Sequence, residues 1–219
     1  MPGRGSNNTG TAIRIGDGLK GAGLAVLYAE RAGGNLNFEI EIRPFTEGDA
    51  SQVRELFVAT NRLLSPPDLR DAFEAYIERA LAEEIDRIAA YYREHDGDFW
   101  VATQSVVVVG TFGLERVASD AMELRRMYVD TAVRRNGIGR RMLQYAEDEC
   151  RLRNVARLEL STAEIQSAAL ALYRSAGYRL LREDVAEIGS NKTVGSGLRR
   201  FYFQKVLLPS ADHATKDIV

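Results

Sequence analysis

The densest potential chemistry in the chain lies between Leu124 and Leu143, LRRMYVDTAVRRNGIGRRML. Leu124, Met127, Tyr128 and Val129 read as the end of a β-strand that stops at Asp130. Ile138, Met142, Tyr145 and Ala146 then recur at helical spacing. Between strand and helix sits RRNGIG. A strand that turns through glycine into a helix N-terminus makes an anion site. The first helical amides have no partner inside the helix, and the dipole favours negative charge there. Gly137 and Gly139 let a phosphate approach the backbone with no Cβ in the way. Arg134, Arg135, Arg140 and Arg141 add positive charge around it. The stretch reads as a pyrophosphate cradle, and the competing reading is a plain strand–turn–helix whose arginines are solvated. The chain has no GxxxxGK[ST] and no GxGxxG with a later acidic residue, which excludes a P-loop and a dinucleotide fingerprint.

A second stretch, QSAALALYRSAGYRL from Gln166 to Leu180, adds to the first. With both in view the chain resembles the GNAT superfamily of N-acetyltransferases. That family's pyrophosphate loop, Q/R-x-x-G-x-G/A, is matched by Arg134, Gly137 and Gly139. Its next motif is a helical alanine, a tyrosine four residues on, then a glycine and an aromatic. Ala169, Tyr173, Gly177 and Tyr178 match that, in the same order along the chain. The resemblance runs from about Ile40 to Leu207, and EIEIRPFTEGDASQVRELF and DGDFWVAT are most similar to the N-acetyltransferase 8-like branch.

The resemblance implies an acetyl-CoA-dependent enzyme that acetylates a primary amine directly. It implies that acetyl-CoA lies in a split between two strands, Ala121–Val129 and Arg157–Ser161. The segment Met127, Tyr128 and Val129 holds the pantetheine and the acetyl carbonyl through its backbone, and such donors also stabilise an oxyanion. The amides of Arg135, Asn136, Gly137, Ile138, Gly139 and Arg140 hold the pyrophosphate, with Ser161, Gln166, Ala169 and Tyr173 as further contacts. Where this chain has Gln166 the family often has Asn.

Tyr173 matches the family's general acid for the departing thiolate, and its other reading is a core tyrosine. Glu123 is the base that the resemblance suggests, since relatives often place a base or water-organising group there; the other readings are a strand carboxylate paired with Arg125, or a water chain in its place. Alternation sets Glu123 and Arg125 on one face of the strand and Leu124 and Arg126 on the other, unless a bulge intervenes. Another class of function is a non-catalytic acyl-CoA-binding module with the same loop. The implied partner is an amine acceptor: an amino acid, a polyamine, an aminoglycoside, a peptide N-terminus or a protein lysine. Relatives are often homodimers.

Composition narrows these choices. The chain has 219 residues, enough for one ordinary domain with tails. A net charge of −2 argues against an RNA-binding arginine patch and against general nucleic-acid or membrane affinity. With one cysteine, Cys150, an internal disulfide is excluded, and with only His95 and His213 besides, a His/Cys metal site is not expected. Cys150 reads as a packed thiol. No apolar run approaches the ~18 residues of a membrane span, and LAVLYA is too short for a signal peptide, so cytoplasm is the default expectation.

The surrounding elements follow from patterning. Residues 1–37 are rich in Gly, Asn and Ser and read as an extension, partly disordered, with short strands at most over Ala12–Ile15 and Leu24–Tyr28. Residues 38–208 form the acetyltransferase-like domain and 209–219 a frayed tail. FEIEIR is the first strand, and Thr46 or Asp49 caps a helix carrying Val53, Leu56, Phe57 and Leu64. SPPD breaks that helix, and one long helix follows, with Leu69, Phe73, Ile77, Leu81, Ile85, Ile88 and Tyr92 on one face. Its acidic residues Glu74, Glu78 and Asp86 read as a solvated face. Then come strands over 99–103, 106–115 and 121–129, a helix to about Asn154, a strand over 157–161, a helix over 167–176 capped by Gly177, and strands over 178–181 and 199–207. Gln104 and Ser105 form the turn between the first two of these strands, and 182–198 reads as a loop. The fold class is α/β: a mixed, mostly antiparallel sheet flanked by helices, in which the resemblance implies a V-shaped split between two central strands.

Overall fold

The computed structural model describes residues 39–207, so the expectations for residues 1–37 and for the tail beyond Pro209 lie outside the described residues. The elements are β1 (Ile40–Pro44), α1 (Ala50–Leu64), α2 (Arg70–Glu83), α3 (Ile88–Glu94), β2 (Asp98–Gln104), β3 (Val107–Ala118), β4 (Ala121–Val129), α4 (Ile138–Leu152), β5 (Arg157–Ala163), α5 (Ser167–Ser175), β6 (Arg179–Ala186) and β7 (Leu198–Val206). They build a seven-stranded sheet in the order β1-β2-β3-β4-β5-β7-β6. Every neighbouring pair is antiparallel except β4 and β5, which α4 joins as a parallel crossover.

The sheet is covered on both faces. Met142, Leu143, Ala146 and Cys150 of α4 pack with Met122 and Leu124 of β4 and Leu158 and Leu160 of β5. On the opposite face Val53, Leu56, Ile88 and Tyr92 pack on Phe99 and Val101, and Phe57 meets Ile77, Leu81 and Ile85. Cys150 is fully buried, and burial pushes its thiol up to about 12, as a packed cysteine requires.

Three local differences from the patterning have physical causes. The expected long helix is broken: α2 ends at Glu83, a 3₁₀ turn covers Ile85–Arg87, and α3 begins at Ile88. Glu84 sits at the break with φ −138° and ψ −59°, which turns its carboxylate into the interior. The β2–β3 hairpin turn is Ser105–Val106, not Gln104–Ser105, with Ser105 at φ 56°. β6 continues to Ala186, where a loop from Arg182 was expected. As an edge strand it needs only the ladder to β7 (Arg182↔Tyr202 to Ala186↔Leu198), and its polar side chains stay exposed.

The entry into α1 is held by one buried carboxylate. Both oxygens of Asp49 accept from the Arg43 guanidinium at 2.8 Å, and the Thr46 amide and hydroxyl each donate to Asp49 at 2.9 Å. The Arg43 hydrogen bonds, with those of Thr46, outweigh burial and hold the Asp49 carboxyl down to about 2 from 3.8. Because the folded value is depressed, this stabilisation is present above the unfolded pKa and is lost as pH falls toward about 2. Asp49→Asn is expected to lower unfolding free energy by about 2 kcal/mol at pH 7. Urea denaturation should show the gap between wild type and variant shrinking steadily from pH 4 to pH 2.

Candidate active site

β4 and β5 run side by side only from Ala121↔Arg157 to Leu124↔Leu160. Beyond Leu124, β4 continues to Val129 on the β3 ladder and β5 continues to Ala163 on the β7 ladder, so the two strands part. A cleft opens at that point, lined by β4 residues from Glu123 to Tyr128, by Ser161, Thr162 and Ala163, and by Tyr173 of α5. The V-shaped split expected from the resemblance is therefore present.

A bulge sets what faces each side of the split. The β3–β4 register slips between Thr111↔Tyr128 and Gly113↔Arg125, and Arg126 adopts φ 51°. Met122 and Leu124 face the α4–α5 side by alternation, and past the bulge Met127 and Val129 face it too. Arg125 and Arg126 both face the α1–α3 side, where strict alternation would have separated them. Tyr128 follows them, against Phe57 (ring centroids 5.8 Å apart) and Asn61.

The RRNGIG loop joins β4 to the start of α4. Arg135 (φ 69°) and Gly137 (φ 74°) are both left-handed, which curls the loop so that its amides converge. Gly137 is the N-cap of α4 and supplies no side-chain acceptor, and its carbonyl accepts from the Arg141 amide at 3.0 Å. The opening amides of a fifteen-residue helix thus face outward uncapped. A Cβ built on Gly137 meets nothing within 4 Å, so the space in front is free for a ligand. Arg134 donates to the Val129 carbonyl at 3.1 Å and Arg140 to Ser175 Oγ at 3.1 Å. The residues present fit a pyrophosphate.

Tyr173 is 6% exposed and lines the cleft. Among the described residues its hydroxyl has one partner, the Met127 thioether at 3.8 Å, a weak acceptor. Burial raises its pKa above the ordinary phenol value, so the group stands protonated at neutral pH. A tyrosine kept only for packing usually directs its hydroxyl to a strong acceptor; this one points at the splayed half of β4.

On the other face a buried ion network backs the cleft. Glu84 Oε2 accepts from Arg125 at 2.7 Å and Arg126 at 2.6 Å, and Glu84 Oε1 accepts from Tyr92 at 2.8 Å. Tyr92 reaches Glu84 past Gly113, where a Cβ would lie 2.2 Å from the tyrosine oxygen. Arg125 also bonds Glu115 at 2.7 Å, and Lys192, from the β6–β7 loop, bridges Glu115 and Glu123 at 2.5 Å each. Burial alone would raise Glu115, but the charge of Arg125, helped by Lys192 and Tyr91, holds it down to about 2. Arg126 lies over Phe57 and Tyr76 and donates to the Asn191 carbonyl at 2.6 Å.

The structure brings Glu123, Met127, Tyr128, Ser161, Gln166, Ala169 and Tyr173 to one cleft. Val129 continues the same strand, and Arg134, Arg135, Asn136, Gly137, Ile138, Gly139 and Arg140 form the loop and helix start beyond it. Glu123 pairs with Lys192, not with Arg125. The Tyr128 side chain is turned to the face opposite Tyr173. Gln166 Oε1 is occupied by the Thr162 hydroxyl at 2.8 Å and the Ala163 amide at 3.1 Å, so it ties the start of α5 to β5. Glu74 and Asp86 form exposed pairs with Arg62 and Arg54. No cluster of metal-ligating side chains occurs among the described residues. No helix among them is long and apolar enough to cross a membrane.

Patterning missed Glu84, Glu115, Lys192 and Arg200. Glu84 had a signal: it falls seven residues after Ile77 and four before Ile88, in phase with the apolar stripe. Lys192 and Arg200 had none, because their partners are distant in sequence.

The parted strands thus lie beside an uncapped helix start whose loop and first turn carry Arg134, Arg135, Arg140 and Arg141. The chain belongs to the acetyltransferase (GNAT) family, whose model matches residues 61–178. It is 35% identical to an N-acetylaspartate synthetase of Danio rerio over 143 residues, 62% of this chain and 48% of that protein. It is 32% identical to human N-acetyltransferase 8 over 114 residues, 48% of each. The matched segment therefore spans about half the length of these curated relatives. The fold is shared with the PaiA N-acetyltransferase of Thermoplasma acidophilum solved in complex with coenzyme A (TM-score 0.62, 18% identity, 77% of this chain and 99% of that one). It is also shared with a GNAT acetyltransferase of Staphylococcus aureus Mu50 (TM-score 0.61, 20% identity, 78% and 100%).

Glu84→Gln leaves two buried guanidinium groups without their shared carboxylate. It is expected to cost about 3–5 kcal/mol of stability, read by chemical denaturation. A loss below about 1 kcal/mol would show that the network does not hold α2 and α3 to β4.

Proposed function

We propose that this protein transfers an acetyl group from acetyl-CoA directly to a primary amine across the β4–β5 split. The observation that carries the reading is the coincidence, on one side of that split, of the uncapped α4 N-terminus and the protonated, weakly partnered Tyr173. Acetyl-CoA supplies the activated acetyl thioester. The amides from Arg135 to Arg140 bind its pyrophosphate, assisted by the nearby arginines. The edge of β4 past Leu124 lacks a β5 partner, which leaves Met127 and Val129 to align the acyl arm by sheet-like bonds and to stabilise the oxyanion as the amine attacks.

Tyr173 then gives its proton to the departing sulfur. Met127, its weak partner, is readily exchanged for that sulfur. Glu123 stands on the opposite face and takes the proton from the incoming ammonium, directly or through water. Lys192 engages only its Oε2, and its Oε1 has no protein hydrogen bond among the described residues. The names of the relatives support N-acetylation, and we carry no particular acceptor over from them.

Calorimetric titration with acetyl-CoA tests the reading. Saturable binding by wild type is expected, and Gly137→Glu should weaken it by tenfold or more through charge at the pyrophosphate. Gly137→Ala, which carries the same left-handed backbone strain of about 1–2 kcal/mol without the charge, should weaken it less. Equal affinity in all three would remove the cradle. Tyr173→Phe should lower kcat by about 10²–10⁴ with acetyl-CoA affinity retained, measured by thiol release. Wild-type turnover would return Tyr173 to the core.

A further inference from the structure

Among the described residues, one cation of the cleft and the ion network behind it is left over. Glu84, Glu115 and Glu123 face Arg125, Arg126 and Lys192, three carboxylates against three cations, and every member is paired. Arg200 of β7 lines the same cleft, is 9% exposed, and has no carboxylate partner among the described residues. Its guanidinium donates to Ser161 Oγ and lies 5.9 Å from the centre of the Tyr202 ring. Asp184, opposite it in the β6–β7 register, is engaged by Arg182 at 3.1 Å.

A buried guanidinium without a counter-charge is costly, and a planar fork of donors matches a carboxylate two bonds at a time. Strand alternation adds the direction. Leu158 and Leu160 face α4 and α5. Ser161 and Arg200 therefore share the face of Glu123, Arg125 and Arg126, across the split from Tyr173. Arg126 adds a second unmet donor, because its buried Nε has no partner.

We propose that Arg200 receives a carboxylate of the acceptor, so that the substrate class is amines bearing a carboxylate, with free amino acids as the simplest members. The inference rests on the acyl-transfer reading above. The carboxylate neutralises the cation left uncompensated among the described residues of the cleft and leaves the amine to be presented at Glu123. Polyamines and aminoglycosides bring only positive charge to a wall that already carries a surplus of it, and are disfavoured.

Thiol release from acetyl-CoA by the full chain is to be followed with matched amines, each an L-amino acid and its decarboxylated counterpart, and with spermidine as a polycationic comparator. Amino acids are expected to exceed their decarboxylated counterparts by about 100-fold or more in kcat/KM. Arg200→Gln should erase that preference by raising KM for the amino acid while KM for acetyl-CoA stays put. Arg200→Lys, which keeps the charge but not the fork, should restore part of it, and it serves as the reading variant if Arg200→Gln does not fold. Preference for decarboxylated amines or spermidine, a carboxylate preference that survives in Arg200→Gln, or a rise confined to KM for acetyl-CoA would overturn the assignment. Amine turnover without carboxylate preference sinks this inference alone. Absence of acetyl-CoA binding, or of turnover with every amine, sinks the acyl-transfer reading and this with it.

Discussion

The shared grip of Glu84 on Arg125 and Arg126 is the contact on which the site depends. One carboxylate, fully buried, ties the junction of α2 and α3 to the centre of β4. Two neighbouring strand residues can reach the same carboxylate only if a bulge turns them to one face. The bulge at Arg126 also rotates Met127 and Val129 toward α4 and α5 and draws β4 away from β5. The ion pair, the bulge and the parting of the strands are therefore one structural event. Buried pairs of this kind seldom add much net stability, since desolvation offsets the attraction. What this one does is fix geometry: any other register of β4 strands a guanidinium in the core.

The same event divides the cleft chemically. On the α4–α5 side the surroundings are apolar apart from backbone amides, the loop arginines and the tyrosine hydroxyl, which suits a long neutral arm ending in phosphates. On the α1–α3 side the wall is ionic and nearly balanced, with Lys192 closing it from the β6–β7 loop. Tyr173 is kept protonated by burial, while Glu123 keeps one oxygen clear of protein partners. Under the proposed acyl transfer, these two groups are the acid and the base, separated by the space in which a carbonyl is attacked from one side and its leaving group departs on the other.

Much of this was legible in the chain. Local rules governed β4, whose bounds match the pattern, the cradle glycines, the Gly177 cap (φ 84°) and the packing of Cys150. The break at Glu84 was not read, although a glutamate in phase with an apolar stripe marks a carboxylate that must go inside. The extension of β6 was not read either, because an edge strand draws its order from the β7 ladder and leaves no apolar alternation to see.

The sequence alone thus determined where most strands and helices lie, which helix start is bare of a cap, and that an alanine–tyrosine helix follows it, because each is set by residues within a turn or two of one another. Only the tertiary structure decided which face Arg126 takes, that Glu123 meets Lys192 and not Arg125, and that Arg200 has no counter-charge among the described residues. Those outcomes depend on a single residue of slip in the β3–β4 register and on a loop that arrives some seventy residues later (Lys192 to Glu123, a separation of 69). Strand period is two, so one slipped residue exchanges the faces, and no local pattern records where the slip occurs.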